Sequence, residues 1–227
     1  MKELVLQIKF GGLGDHLFYS HLPKIAKEVG GFDKVFISKH SALPAKEIQR
    51  VIWELNPYVD GFSDQPGVSA PVDLKLGAGM NLLDAVMLSV GLDDGKRFHE
   101  PEIYYKPKLI AELQNKNIYF PNFISNAGFL SGPKVGKYFK DQNIHIDYQG
   151  SVREKESSVV ILDFDAYLKT VHFTDFVDAI FSANNVYCLV TGTASLGPSL
   201  GKRLNVFHSK EIAPEFLHSR LNNYICL

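Results

Sequence analysis

The alternation of short apolar runs with longer amphipathic segments constrains the fold most strongly. In the first half of the chain, the apolar runs Leu4–Phe10 and Lys34–Lys39 are followed by helical patterns over Leu17–Val29 and Ala45–Asn56. Apolar residues spaced three to four apart predict helices, and short apolar runs predict buried strands. We expect Pro23 to kink or delay the first helix. The alternation favours an α/β fold with mostly parallel sheets covered on both faces.

The same pattern restarts after a stretch that contains Pro101, Pro107 and the polar run Ala111–Asn117. We therefore predict two Rossmann-like α/β halves, residues 1–107 and 108–227, in one compact chain, each of ordinary size for a small domain. Val59–Asp64 is interpreted as a short strand or a loop. The other predicted elements are strands at Ile118–Phe120, Ser158–Phe164, Val186–Gly192 and Arg203–His208 and helices at Met80–Leu92, Thr174–Asn184 and Ala194–Leu200.

Composition excludes several classes of protein. Of the 227 residues 45% are apolar, and the formal net charge is −1, which argues against a nucleic-acid partner bound by overall charge. Cys188 and Cys226 form no CxxC pair and the eight histidines show no ligand spacing, so we expect no metal site and no disulfide framework. The N-terminus lacks the features of a signal peptide, and no apolar run reaches the ~20 residues of a membrane span. We expect a cytoplasmic protein, with peripheral contact at the inner face of the membrane left open.

A glycine-rich junction links the first predicted strand to the first predicted helix. Gly11, Gly12 and Gly14 precede Asp15 there, and such a junction can bind an anion through backbone N–H groups. The spacing matches neither the dinucleotide motif nor a P-loop. Asp15 is interpreted either as a helix cap or as a functional carboxylate. The neighbouring His16 is expected at the surface, where it could also face a ligand.

Two further groups of polar residues can be interpreted either as functional or as ordinary structural residues. Asp163 and Asp165 end an apolar run, a pattern that can hold a divalent cation but that also arises by chance where a strand meets a loop. Lys134 and Lys137 follow a loop in the second half and offer point charges for a phosphate. They would equally suit a solvated face, because lysine is mostly exposed.

The chain resembles the family 9 glycosyltransferases, the bacterial heptosyltransferases with a GT-B fold, in a shortened form. At the start of the chain, the resemblance rests on the strand, the small-residue loop, Gly14-Asp15 and Leu22-Pro23. The loop Lys9–Asp15 is also similar to that of glycogen synthases, which are GT-B enzymes too. The other matching segments, in the family's order, are Asn56–Gly67, Met80–Leu92 and Leu189–Ser209.

The resemblance implies a metal-independent glycosyltransferase without a cofactor, which moves a sugar from a nucleotide sugar to a glycan or lipid-linked hydroxyl in cell-envelope polysaccharide synthesis. It implies that Asp15 is the general base, and that the glycine loop brings the acceptor and the donor's sugar close to the backbone. The donor-binding residues that it implies are Thr191, Gly192, Thr193, Ser195, Lys134 and Lys137. The chain departs from the family at Val190, where an aspartate is usual, at Ser195, where a histidine is usual, and at Arg203, where a proline is usual.

Two alternatives belong to other functional classes. One is a nucleotide-sugar epimerase or a nicotinamide-dependent oxidoreductase on a similar fold. The glycine spacing and the end of the second strand, Lys39-His40, count against it, because a nicotinamide site would carry an acidic residue there. The other is a non-catalytic nucleotide-sugar-binding protein, which Val190 and Ser195 favour.

Overall fold

The computed structural model describes residues 1–121, 130–155, 158–164, 168–170 and 172–227, and for the strands between 151 and 170 the description is limited to the backbone. The chain divides into two units, Met1–Tyr105 and Lys106–Leu227. The division lies within the proline-containing stretch that follows the first half, whereas the sequence suggested a boundary after residue 107.

The first unit is built on a parallel sheet in the order β1-β2-β3. Its strands are β1 (Glu3–Leu6), β2 (Lys34–Ser38) and β3 (Gly61–Ser63). Leu4 pairs with Val35 and Leu6 with Ile37, and all four side chains are buried. The predicted strand over Leu4–Phe10 therefore ends early, and its last four residues form the loop that leads to the glycines.

Four helices flank this sheet: α1 (Leu13–Leu17), α2 (Leu22–Glu28), α3 (Lys46–Gln49) and α4 (Leu82–Ser89). The predicted helix over Leu17–Val29 is interrupted, and Pro23 lies in the first turn of α2, where a missing backbone N–H costs nothing. After α3 the chain continues as a π-helical turn over Arg50–Glu54, which buries Trp53 completely.

The second unit contains a five-stranded parallel sheet in the order β11-β10-β9-β4-β5, which confirms the predicted α/β class with parallel sheets. The strands and helices of this part are β4 (Asn117–Phe120), α5 (Gly132–Asp141), β5 (Tyr148–Gln149), α6 (Phe173–Ser182), β9 (Asn185–Leu189), α7 (Gly192–Ser199), β10 (Asn205–His208) and β11 (Asn223–Cys226). Helices cover both faces. Phe139 of α5 packs on Tyr119 at 5.3 Å between ring centroids, while the next residue, Phe120, packs on Phe176 of α6 at 5.1 Å.

The remaining strands form a separate antiparallel sheet, β6 (Ser151–Lys155), β7 (Ser158–Phe164) and β8 (Leu168–Thr170). The prediction that Ser158–Phe164 continues the parallel pattern is wrong. Only two residues separate β6 from β7, which allows a hairpin, whereas a parallel pair needs a crossover of a dozen or more residues. Among the described residues, no helix is long and apolar enough to cross a membrane.

Candidate active site

The loop after β1 is fixed to the segment after β2. The Ile8 backbone N–H donates to the Ser41 hydroxyl oxygen at 3.0 Å, and the Ala42 N–H donates to the Ile8 carbonyl at 2.9 Å. Both segments follow the carboxyl ends of adjacent parallel strands. In open α/β sheets this edge is where ligands bind.

Asp15 lies at the third position of α1, and its carboxylate accepts a hydrogen bond from the Gly12 N–H at 3.1 Å. Gly12 is the N-cap residue, so Asp15 supports the helix start from inside the helix instead of capping it. The side chain is half-buried. Burial raises the pKa of Asp15, and the Gly12 N–H works against that effect. A carboxylate with a raised pKa is a stronger base than one in water.

The glycines of this loop make room for the protein itself. A β-carbon on Gly12 would lie 2.7 Å from the Asp15 Oδ2 atom, and one on Gly11 would lie 3.0 Å from the Ala42 carbonyl oxygen. The sequence indicated that something comes close to the backbone of this loop. At Gly12 that group is the Asp15 side chain, and at Gly11 it is the Ala42 backbone.

The expectation that His16 lies at the surface is wrong, because its side chain is fully buried. The Trp53 indole N–H donates to His16 Nδ1 at 2.9 Å, and Nε2 lies 3.0 Å from the Ala42 carbonyl oxygen. Nδ1 therefore accepts, and Nε2 carries the proton and donates to the carbonyl. Burial lowers the pKa of His16 to about 4, so the ring is neutral at pH 7 and holds the loop in place.

Tyr19 is a neighbour of Asp15 that sequence reasoning missed. Its hydroxyl oxygen accepts a hydrogen bond from the Ala70 N–H at 3.0 Å. Burial raises the pKa of Tyr19, and the negative charge of Asp15 adds to the shift, so Tyr19 stays protonated and neutral. The spacing of four residues between the two side chains was the available signal, since such pairs share one side of a helical segment.

In the second unit, α7 begins directly after β9 and carries most of the predicted donor-binding residues. Thr191 is the N-cap residue, and its Oγ1 atom accepts from the Thr193 N–H at 3.2 Å. Thr191 and Gly192 are half-exposed, whereas the Thr193 side chain is buried. The first N–H groups of a helix lack intrahelical acceptors, and the helix dipole adds partial positive charge, so this end favours an anion.

Ser195 lies one turn further along α7 and is buried. Its hydroxyl is 3.2 Å from Nε2 of His218, a buried histidine whose Nδ1 lies 3.2 Å from the Phe216 carbonyl. Nδ1 therefore donates to that carbonyl, and Nε2 accepts from Ser195. Burial lowers the pKa of His218 to about 4, so the ring stays neutral at pH 7. The Ser195 hydroxyl is thus engaged inside the protein.

The lysines and the two aspartates of the remaining predictions lie apart from α7 along the chain. Lys134 and Lys137 are exposed on α5, and Lys137 pairs with Asp141 one turn away. Asp163 lies in β7, for which only the backbone is described, and Asp165 lies outside the described residues. The part of the chain with described side chains contains no group of three or more histidine, cysteine, aspartate or glutamate residues that could hold a metal ion.

Comparison with solved structures shows that this fold is similar to the fold of family 9 glycosyltransferases and heptosyltransferases. A family 9 glycosyltransferase from Veillonella parvula DSM 2008 aligns with 100% of this chain and 85% of its own, at a TM-score of 0.60 and 11% identity. The ADP-heptose lipopolysaccharide heptosyltransferase II of E. coli aligns with 99% of this chain and 90% of its own, at a TM-score of 0.60 and 11% identity.

A third similar structure is the dodecameric iron-containing heptosyltransferase TibC, solved in complex with ADP-D-beta-D-heptose. It aligns with 98% of this chain but only 63% of its own, at a TM-score of 0.63 and 11% identity. No family model matches the chain, and no curated protein matches it in sequence. The likeness is therefore one of fold, on which function has to be argued from the site.

Proposed function

We propose that this protein is a glycosyltransferase that moves a sugar from a nucleotide sugar to a hydroxyl of a glycan or lipid-linked acceptor in cell-envelope polysaccharide synthesis. The observation that carries the proposal is the half-buried Asp15 carboxylate with its raised pKa, at the carboxyl edge of the first sheet, in a fold shared with heptosyltransferases. Similar structures are described with ADP-D-beta-D-heptose and with ADP, which favours an ADP-linked sugar as the donor.

In this proposal Asp15 is the general base. An acceptor hydroxyl must lose its proton as its oxygen attacks the anomeric carbon, and the bond from that carbon to the donor diphosphate breaks. A carboxylate within hydrogen-bond reach can take the proton, which typically accelerates a reaction by about 10²–10⁴-fold. The Gly12 N–H fixes one carboxylate oxygen and so orients the other. The first unit, which contains this loop, is the proposed acceptor-side domain.

The second unit is the proposed nucleotide-sugar-binding domain, with the diphosphate at the start of α7. The Thr191 oxygen accepts from Thr193, so its hydroxyl proton is available to a phosphate oxygen, and Gly192 presents the first helical N–H. We assign Thr193 and Ser195 to shaping this helix start, because both are buried. Lys134 and Lys137 supply positive charge in place of a metal ion, since a lysine suits a phosphate as a point charge.

Nucleotide binding and transfer should be measured together. We expect ADP and an ADP-linked sugar to bind and to raise the melting temperature, and we expect Thr191→Ala to weaken ADP binding by about tenfold, the effect of one lost hydrogen bond to a charged group. Thr174→Ala, a half-buried threonine early in α6, is the matched control and should bind ADP as the wild type does. Unchanged ADP affinity in Thr191→Ala and in a bulky Gly192 variant would remove the donor-site assignment.

One observation favours the alternative of a non-catalytic nucleotide-sugar-binding protein. The bond between Asp15 and Gly12 is one that ordinary helix starts also use, so the carboxylate has a sufficient structural reason to be present. That alternative predicts ADP binding without any transfer. A wild-type protein that binds ADP-linked sugars and shows no turnover with glycan or glycolipid acceptors would replace the enzyme with this binding protein.

A further inference from the structure

A polar groove of about 640 Å³ opens at the amino ends of β9, β10 and β11. Five asparagines, one lysine, one arginine and one glycine line it, and none of these lining residues is acidic. The groove lies at the opposite end of β9 from Thr191. Five strand residues rise about 3.3 Å each, so the groove and the proposed diphosphate site are about 15 Å apart within this unit.

Some of the asparagine amide atoms are used to join neighbouring strands. Nδ2 of Asn185 donates to Oδ1 of Asn117 at 2.9 Å, and Nδ2 of Asn223 donates to Oδ1 of Asn205 at 2.9 Å. These two pairs leave the oxygens of Asn185 and Asn223 as acceptors and the Asn205 Nδ2 group as a donor. Asn184 is exposed, and its side-chain amide adds both an NH₂ donor and an oxygen acceptor to the groove.

One of the lining residues, Asn222, is buried and has a structural role. Asn222 donates to the Ala194 carbonyl at 2.8 Å, and its oxygen lies 3.3 Å from the Leu204 N–H. It therefore ties the start of β11 to α7 and to the start of β10.

The positive charge of the groove comes from two consecutive residues. The Lys202 ammonium donates to the carbonyls of Phe181 and Ala183 at the end of α6, so it is fixed in the wall. Arg203 is exposed, and its Nε donates to the Leu221 carbonyl at 3.1 Å, which leaves the two terminal amino groups of the guanidinium for a ligand. A guanidinium held in this way presents two donors in a fork that fits a carboxylate or a phosphate.

We propose that this groove is a second saccharide site, which binds a sugar residue bearing an anionic substituent. Amide donors and acceptors placed side by side match the vicinal hydroxyls of a sugar, since each hydroxyl both donates and accepts. Arg203 and the charge of Lys202 match one carboxylate or phosphate on that sugar. The site goes beyond the proposed transfer reaction and requires neither Asp15 nor the diphosphate site.

Titration of the full chain followed by NMR tests the proposal, with the side-chain amide signals of Asn184 and Asn205 as the readout. Glucose 6-phosphate carries a phosphate and glucuronic acid carries a carboxylate. Glucose serves as the control for the sugar without an anionic group, and inorganic phosphate as the control for the anion without a sugar. We expect both amide signals to shift when an anionic sugar is added. The concentration of glucose or of inorganic phosphate that gives the same shift should be at least about tenfold higher. The anionic sugar that binds more tightly identifies the substituent.

Matched variants separate recognition from general charge effects. Arg203→Gln should weaken binding of the anionic sugars by about tenfold, the effect of losing charge-assisted hydrogen bonds. Lys210→Gln removes one positive charge from an exposed position outside the groove lining and should change nothing. Asn184→Ala, at an exposed position, should weaken binding without affecting the fold. The proposal is overturned if the amide signals do not move, if Arg203→Gln and Lys210→Gln behave alike, or if inorganic phosphate binds as tightly as glucose 6-phosphate.

Discussion

Among the residues that the structure describes, Asp15 is one of three aspartates that support the start of a helix in the same way. At the third position of α1, α4 and α6, the carboxylates of Asp15, Asp84 and Asp175 accept the N-cap N–H at 3.1, 2.9 and 3.2 Å. Their surroundings differ. Burial favours the neutral form of Asp84, but hydrogen bonds from Phe98, Asn81 and His99 outweigh it and lower the pKa. For Asp15 burial prevails and raises the pKa, so it is the better candidate base.

Replacing Asp15 by asparagine tests catalysis at the scale of one residue. Asp15→Asn keeps an oxygen that can accept from Gly12, so stability should change little, whereas transfer should fall by about 10²–10⁴-fold because the base is lost. Asp175→Asn, which alters the same type of bond at α6, is the matched control and should keep full transfer. Melting temperature and turnover are the two measurements. Full transfer in Asp15→Asn would end the assignment of Asp15 as the base.

The pH dependence of transfer gives a second test of the same residue. The proposed base must be ionised, and the pKa of Asp15 is raised by burial. The rate should therefore fall as the pH falls through a value above the ordinary 3.8 of an aspartate. A profile of kcat against pH in the wild type should show this acidic limb. If the residual activity of Asp15→Asn has the same limb, another group is responsible for it.

At the scale of elements, the contact between α7 and β10 fixes the helix that carries the proposed diphosphate site. Gly197 is buried in α7, and a β-carbon there would lie 2.3 Å from Cγ of Leu204, just before β10. This separation is far below any real carbon–carbon contact, so the glycine sets how closely the helix approaches the sheet.

Two glycine substitutions test this packing. Gly197→Ala should destabilise the protein by about 1–3 kcal/mol, because the added methyl group overpacks a closed contact. Gly136→Ala is the control at an exposed position of α5 with no heavy atom within 4 Å of the added carbon. It should stabilise by about 0.5–1 kcal/mol, since alanine favours a helix over glycine. Urea unfolding of both variants gives the free energies, and a neutral Gly197→Ala would show that α7 can shift.

At the scale of the whole molecule, buried neutral histidines make the folded state sensitive to acid. His16 and His21 lie in the first unit and His218 in the second, all fully or almost fully buried. Burial lowers the pKa of His16 and of His218 to about 4 and that of His21 to about 3. The unfolded chain binds protons at these rings from about pH 6.5 downward, whereas the folded chain does not until much lower pH.

Stability should therefore fall between about pH 6.5 and pH 4. Each of these histidines removes up to about 1.4 kcal/mol of unfolding free energy per pH unit in that window, because the unfolded state binds more protons. Asp84, whose pKa is lowered, weakens the fold only as the pH falls below about 3.8, the ordinary value of an aspartate. Urea titrations at several pH values measure the slope, and His21→Phe should make it less steep. A stability that is constant from about pH 7 to pH 5 would contradict the prediction.

The sequence by itself determined the α/β class, most of the strands and helices, and the position of Asp15 at the first strand–helix junction. These features follow from local physics. Apolar spacing sets the type of element, and Pro23 at the start of α2 limits where a helix can begin. For this reason the resemblance to the family 9 fold could be stated from the order of motifs alone.

Only the tertiary structure decided burial, pairing and what lies beside each motif. His16 is buried because Trp53, 37 residues later, supplies its hydrogen bond, and Ser158–Phe164 pairs in a hairpin although its pattern also suits a parallel strand. The polar groove exists because three neighbouring parallel strands, β9, β10 and β11, bring Asn185, Asn205 and Asn223 to one end of the sheet. Such contacts join residues far apart in sequence, and their energy comes from desolvation and packing that no local pattern encodes.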